Sequence, residues 1–557
     1  MFERLQMSLP VVPQRVSLRS FSWSRLTAMV AGSMASVAVA TSAEAAERIR
    51  FRYGLYELTV TRAELETFAT TGEAEGGLKM LLGQLGSGLS GQFQGALQAN
   101  YNLDPVLASR FAQTQSGEQL LTEAGDLIQT ESGLNGFKGL RAALVLAAAE
   151  PDGLTLLNFI EQFPTDIRID IGQAQSTAKN FGRLLGQTQQ AVGQLAAETA
   201  ALAATEPSVD FTTLPDPSAP GAFGSVVQTL TLYDRARDRT LVTDVYMPAV
   251  ATNAELPVIV VSNGLGARRD RFTELATHLS SHGFAVAIPD HPGSDRERLQ
   301  NFYQGLEPEN FEATEFIDRP QDISFVLDEL TRLDSELFSG RLNPENAGVF
   351  GYSFGGTTAL ALAGAEIDRE HLQQDCETRA SLFNISLLYQ CRALELPSAV
   401  LTTDLRDKRV QASYVFVPFT RSIYGPEGLS QVEGPVLWEA TDRDILTPFV
   451  VEQLPAYNWL ANGEDERYLA VTAGLPHARI TQEVLGRLTK EESDWETIRP
   501  IAEGYHQTLG AAFFQAHLLN NEVYLSYLQA RGAQYLTQEP YSLTWRESPF
   551  SAEFLNE

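Results

Sequence analysis

AGVFGYSFGGTTALALAG, residues 347–364, decides the fold. At its centre, Gly351-Tyr352-Ser353-Phe354-Gly355 is a G-x-S-x-G turn. AGVF before it reads as a strand and GGTTALALA after it as a helix. So sharp a strand-to-helix turn strains the backbone of the serine, and a Cβ two residues to either side would clash, hence the glycines. The strain lifts the Ser353 Oγ above the sheet edge, beside the start of the next helix. On both sides of the turn, strands alternate with helices. LPVIVVSNG (256–264) is a continuous β-branched run, the mark of a strand buried on both faces. FAVAIPD (284–290), ASYVFVP (412–418), GPVLWEA (434–440) and ERYLAVTAG (466–474) supply further strands, with helices such as RPQDISFVLDELTRL (319–333) between them. SVVQTLTLYD and TLVTDVYMP form a hairpin ahead of them. The pattern predicts a doubly wound, mostly parallel α/β sheet with helices on both faces.

A serine at its free pKa is a poor nucleophile and needs an oriented base. Of the seven histidines, two follow strands of the predicted sheet. His291 lies in the turn Asp290-His291-Pro292-Gly293, before the serine in the chain. His477 follows ERYLAVTAG and stands last in the order serine, acid, histidine that such sheets use. We therefore expect His477 as base and His291 as a structural loop residue. After GPVLWEA, Asp442 and Asp444 compete for the acid, with Thr447-Pro448 behind them as a helix start. The oxyanion hole needs the N–H after the nucleophile, Phe354, and one from the loop Ser262-Asn263-Gly264-Leu265-Gly266, where Leu265 is the expected donor. No phosphate loop and no His/Cys cluster at ligand spacing is present, so no metal or organic cofactor is expected.

The chain has 557 residues, 44% of them hydrophobic, a globular composition with material for a large core. Its 41 basic and 70 acidic residues give −29, which should repel nucleic acid and anionic surfaces. Arg15, Arg19 and Arg25, the uncharged run Leu26 to Ala40, and Ala43-Glu44-Ala45 read as a signal peptide over 1–45, hence a periplasmic or secreted protein with no transmembrane segment in the mature chain. Residues 46–204 read as a mostly helical accessory domain after a short strand pair at 47–60. Residues 205–223, with four prolines and little that could pack, read as a linker, and 224–557 as the sheet domain. An excess of sequence at 366–408 reads as a helical insert over the ligand edge, able to act as a lid. Both cysteines of the chain fall inside it, with ASLFNISLLYQ between them as one short helix. An exported chain with two cysteines predicts a Cys376–Cys391 bridge.

SNGLGARRDRF (262–272), AIPDHPGS (287–294), RPQDISFVLDEL (319–330) and FGYSFGG (350–356) resemble, in order, the alpha/beta-hydrolase superfamily. Within it the likeness is to the platelet-activating-factor acetylhydrolase and predicted dienelactone hydrolase group. That group has His where this chain has Asn263, and true dienelactone hydrolases use Cys where it has Ser353. In hydrolases of this fold the acid commonly stands four residues before a proline like Pro448, which selects Asp444. ASYVFVP lacks the carboxylate that mammalian acetylhydrolases place there, so the acid comes later, as in bacterial polyester hydrolases. Residues 47–170 resemble a helical domain of unknown function found ahead of bacterial hydrolases of this group. The resemblance implies a secreted serine esterase with Ser353, Asp444 and His477, its substrate an ester or lipid. Short-acyl phospholipids are one expectation, with Arg268, Arg269 and Arg271 meeting the phosphate; a solvated helix start paired with Asp270 and Glu274 is the other reading of that trio. The rival functions are a general carboxylesterase, lipase, acyltransferase or polyester hydrolase, and a non-catalytic scaffold whose helical domain binds a protein partner.

Overall fold

The computed structural model describes residues 45–550 except Gly86, 250–254, Arg379, 461–465 and 479–494, and except the side chains at 84–89 and 92. The expected leader, apart from Ala45, lies outside the described residues. Among them, no helix is long and apolar enough to cross a membrane.

The N-terminal region is mostly helical, as expected, and its helices pack around a small sheet of which only the first hairpin was expected. Strands β1 (Arg48–Tyr53) and β2 (Tyr56–Thr61) form the hairpin. Two-residue strands β3 (Asn100–Tyr101) and β5 (Leu154–Thr155) pair with each other. Strands β4 (Ile128–Thr130) and β6 (Ile167–Asp170) complete a four-stranded sheet of order β2-β1-β6-β4. Strand β6 pairs parallel to β1 across more than a hundred residues of chain. Asp166 fastens this junction by accepting the backbone N–H of Arg48 at 3.1 Å and its side-chain Nε at 2.8 Å. Helices surround the sheet, among them α1 (Gln115–Leu127).

Helix α2 (Ile171–Thr205) begins at an Asp170 cap and runs 35 residues. Its second half leaves the N-terminal domain and buries Ala191, Leu195, Thr199 and Ala203 against the large domain. The expected linker is a packed strap. Phe211 is buried and stacks on Tyr535 with ring centroids 4.5 Å apart. Carbonyls of Pro215 and Pro217 meet the Tyr527 hydroxyl at 3.0 Å and the His278 Nε2 at 2.8 Å.

The large domain is a nine-stranded sheet of order β15-β14-β13-β12-β11-β9-β10-β8-β7. Strands β7 (Ser225–Asp234) and β8 (Arg239–Pro248) are the antiparallel hairpin. Then come β9 (Leu256–Ser262), β10 (Ala285–Pro289), β11 (Leu342–Tyr352), β12 (Val410–Phe416), β13 (Val436–Thr441) and β14 (Arg467–Thr472), all parallel. Edge strand β15 (Leu543–Arg546) returns antiparallel to β14 and was not foreseen. Helices α3 (Glu315–Leu333) and α4 (Phe354–Leu362) pack on one face. This is the alpha/beta-hydrolase fold. The strand order reverses between β10 and β11, both of which flank β9, so the loops after β9 and β11 meet at the switch point where such sheets place a ligand.

The insert carries α5 (Arg369–Glu377) and α6 (Ser386–Gln390), tied by a Cys376–Cys391 disulfide. The single helix expected over residues 380–390 is shorter. Asn384, ahead of it, turns inward to donate to Glu452 at 2.7 Å. Gln390 donates to the same carboxylate at 3.1 Å, while its own Oε1 accepts the N–H groups of Ser422 and Ile423. The insert is therefore fastened to the sheet domain through buried polar contacts, each costly to break without a replacement.

Candidate active site

Ser353 sits between β11 and α4 at φ 53°, ψ −115°, a conformation costly for any residue with a Cβ. The flanking glycines make it possible. A Cβ on Gly355 would lie 1.8 Å from the Ser262 carbonyl oxygen, and one on Gly351 would lie 2.1 Å from the Gly355 carbonyl oxygen.

The loop after β14 brings His477 over the serine, with Nε2 3.1 Å from the Ser353 Oγ. The loop after β13 brings Asp444 beneath the other ring nitrogen, 2.6 Å from Nδ1. The Tyr352 hydroxyl donates to the His477 carbonyl at 2.9 Å and holds that loop to β11. Asp444 Oδ1 accepts the N–H of Leu446 at 2.8 Å and of Thr447 at 2.9 Å, and Oδ2 accepts the Thr447 hydroxyl. Burial pushes the Asp444 carboxyl up, but His477 and the Thr447 donors outweigh it and hold the pKa below the ordinary 3.8. The competing carboxylate is engaged elsewhere. Asp442 accepts the N–H of Gly474 at 2.7 Å, and burial leaves its pKa raised. Asp444 is thus the carboxylate that meets His477.

Leu265 follows β9 in a half-buried loop, where Gly266 takes φ +69° and donates to the Ser294 carbonyl at 2.8 Å. Phe354 opens α4, and its ring sits among Phe311, Phe316 and Phe419, with centroids 5.0 to 5.6 Å away. Tyr389, from the insert, joins the same cluster, 6.0 Å from Phe311. The phenylalanine rings beside the turn are buried.

His291 belongs to a second chain of serine, histidine and aspartate. Its Nε2 lies 3.1 Å from the Ser262 Oγ and its Nδ1 3.0 Å from Asp322 Oδ2. Ser262 is fully buried within the end of β9, where no substrate reaches. Asp322 is shared with Arg237 and Arg239, both at 2.8 Å. Burial, with repulsion from Arg319, drops the His291 pKa to about 4. The contact pattern alone would suggest a catalytic serine; the burial makes it a structural brace. Arg319 in the same network donates to the Asn263 carbonyl and lays its guanidinium 4.5 Å from the Phe354 ring centroid. The sequence carries no signal for this contact, because it joins α3 to the loop after β9 and the start of α4, both distant in the chain.

The arginine trio is already paired. Arg268 meets Asp270 at 2.7 Å, Arg269 meets Asp244 at 3.1 Å and Asp290 more closely, and Arg271 lies 3.6 Å from Glu503. Of the partners expected for a solvated helix start, Asp270 is the one engaged. Among the described residues no group of His, Cys, Asp and Glu is placed to hold a metal ion.

Comparison with known families agrees with this architecture. Residues 257–373 match the family described as alpha/beta hydrolase fold. Residues 45–170 match the family described as alpha/beta hydrolase of unknown function, DUF1400. No curated protein matches the chain. The fold and these matches group the sheet domain with the alpha/beta hydrolases, and they stop short of the platelet-activating-factor acetylhydrolase group.

Proposed function

We propose that this alpha/beta hydrolase is a serine esterase acting on carboxylic esters, with Ser353 as nucleophile, His477 as base and Asp444 as the orienting acid. The observation that carries the reading is the unbroken run of contacts from the Ser353 Oγ through His477 to Asp444, at 3.1 and 2.6 Å, on a serine held in a strained turn. Asp444, ionised by its surroundings, keeps the proton on Nδ1 and leaves the Nε2 lone pair facing the serine. Nε2 takes the Oγ proton as Oγ attacks the ester carbonyl. The N–H groups of Leu265 and Phe354 receive the oxyanion, and losing one such donor costs about 3–4 kcal/mol in transition-state stabilisation. His477 then protonates the leaving alcohol, and water attacks the acyl-enzyme by the same route.

A phospholipid head group has less support, because each arginine of the trio is neutralised by a carboxylate. The disulfide suits the oxidising compartment that the leader-like first 45 residues imply, so we place the enzyme in the periplasm or outside the cell. The test combines a fluorophosphonate probe, with peptide mapping of the labelled residue, and p-nitrophenyl acetate, butyrate and palmitate. Labelling at Ser353 with turnover of at least one ester supports the reading. No labelling and no turnover would leave a binding scaffold.

A further inference from the structure

We propose that the N-terminal domain carries a binding site for a free fatty acid: a hydrocarbon chain inside the domain and a carboxylate at its mouth. The four-stranded sheet and the helices facing it line a half-open cavity of about 410 Å³. Small-molecule sites occupy about 300–1,000 Å³, whereas close-packed interiors leave few voids larger than a water. The sheet presents Ile49, Phe51, Val60, Ile167 and Ile169 to the cavity, and the helices opposite add Leu78 and Phe93. An apolar cavity without polar partners stays dry and accepts hydrocarbon.

The head group is argued from α2. Ile171, Ala174, Gln175 and Ala178 form one wall, and Gln175, which is exposed, is the one polar residue among the described lining. Lys179 and Arg183 follow Gln175 at four-residue spacing, so the three make a row on one flank of the helix. From Ile171 to Ala197 the helix has no acidic residue, in a chain of net charge −29. Both cations are exposed, and among the described residues neither has a carboxylate partner. A chain lodged against Ala174 and leaving past Gln175 would bring an anionic head to Lys179. The site is separate from Ser353, and the proposal does not depend on hydrolysis there.

The test is calorimetric titration of the delipidated full chain with palmitate, and with 1-hexadecanol as the uncharged comparison. One saturable palmitate site per chain is expected. Ala174→Trp, which fills the cavity from α2, should weaken it at least tenfold. Ala178→Trp, at the exposed rim, should do the same and serves if the first variant does not fold. Lys179→Glu with Arg183→Glu should weaken palmitate at least fivefold and leave hexadecanol unchanged. Absence of saturable binding, or binding that survives both tryptophan variants, overturns the site. Equal weakening of palmitate and hexadecanol by the charge reversal overturns the carboxylate assignment.

Discussion

Asp444→Asn tests the catalytic reading most sharply, because the contacts fix what the new amide must do. Oδ1 accepts two backbone N–H groups, from Leu446 and Thr447, so the carbonyl oxygen of the amide stays on that side. The NH₂ then takes the place of Oδ2, facing the Thr447 hydroxyl and His477 Nδ1. Two donors cannot share that line. The imidazole avoids the clash by moving its proton to Nε2, which removes the lone pair that Ser353 needs. Such a tautomer change costs on the order of 10⁴ in kcat, about 5.5 kcal/mol at about 1.36 kcal/mol per decade. Asp442→Asn keeps a carbonyl oxygen for the Gly474 N–H and should cost less than about tenfold. The assay is kcat for p-nitrophenyl butyrate, with melting curves to confirm that both variants fold. An Asp444→Asn enzyme within about tenfold of the parent, or one matched by Asp442→Asn, would refute the reasoning.

Ser353→Ala and His477→Ala should each abolish fluorophosphonate labelling, whereas Ser262→Ala should keep turnover within about threefold; loss of labelling in the Ser262 variant would move the nucleophile to the buried chain. Thiol titration of the unfolded, unreduced protein should find no free cysteine, and Cys376→Ser with Cys391→Ser should destabilise by about 3 kcal/mol, the loop-entropy value for a 15-residue span. Glu439 is fully enclosed, and burial raises its pKa to about 8, against partial relief from Tyr414 and Thr472. The His506 ring 3.5 Å away is pushed down to about 3, so the two are neutral neighbours rather than an ion pair. A carboxyl whose folded pKa lies above its unfolded value stabilises fully below about pH 4.5 and loses that contribution as pH rises through 8. The melting temperature should therefore fall across that window more steeply in the parent than in Glu439→Gln, and parallel slopes would contradict the assignment.

The parts of the site that were legible in the sequence are local in the chain. The serine turn writes its strand, glycines and helix within eighteen residues, so its geometry follows from its neighbours. Asp442 and Asp444 stand two residues apart on one loop; the spacing to Pro448 favours Asp444, and the path of the backbone turns Asp444 to the imidazole and Asp442 to the Gly474 N–H. The N-terminal sheet escaped because its strands are short and β6 runs straight into α2. The strap was misread because its prolines and alanines conceal Phe211, whose aromatic partners come from the far end of the chain. For the arginine trio, pairing with Asp270 was legible, whereas Asp244, Asp290 and Glu503 lie in three separate segments.

Helix α2 bears on where this protein can be divided. The Thr199 hydroxyl accepts the Trp545 N–H of edge strand β15 at 2.9 Å and shares its own proton between the carbonyls of Leu195, at 2.8 Å, and Trp545, at 3.1 Å. Glu206, at its end, accepts the N–H groups of Ala530 and Arg531 at 3.1 and 2.7 Å. The apparent boundary near residue 205 is thus no seam. A chain started there would uncover Trp545 and leave β15 with open backbone groups, the condition under which sheet edges recruit other chains. The two family matches end and begin on either side of this helix, yet it closes the first domain and finishes the second, so a cut between them damages both.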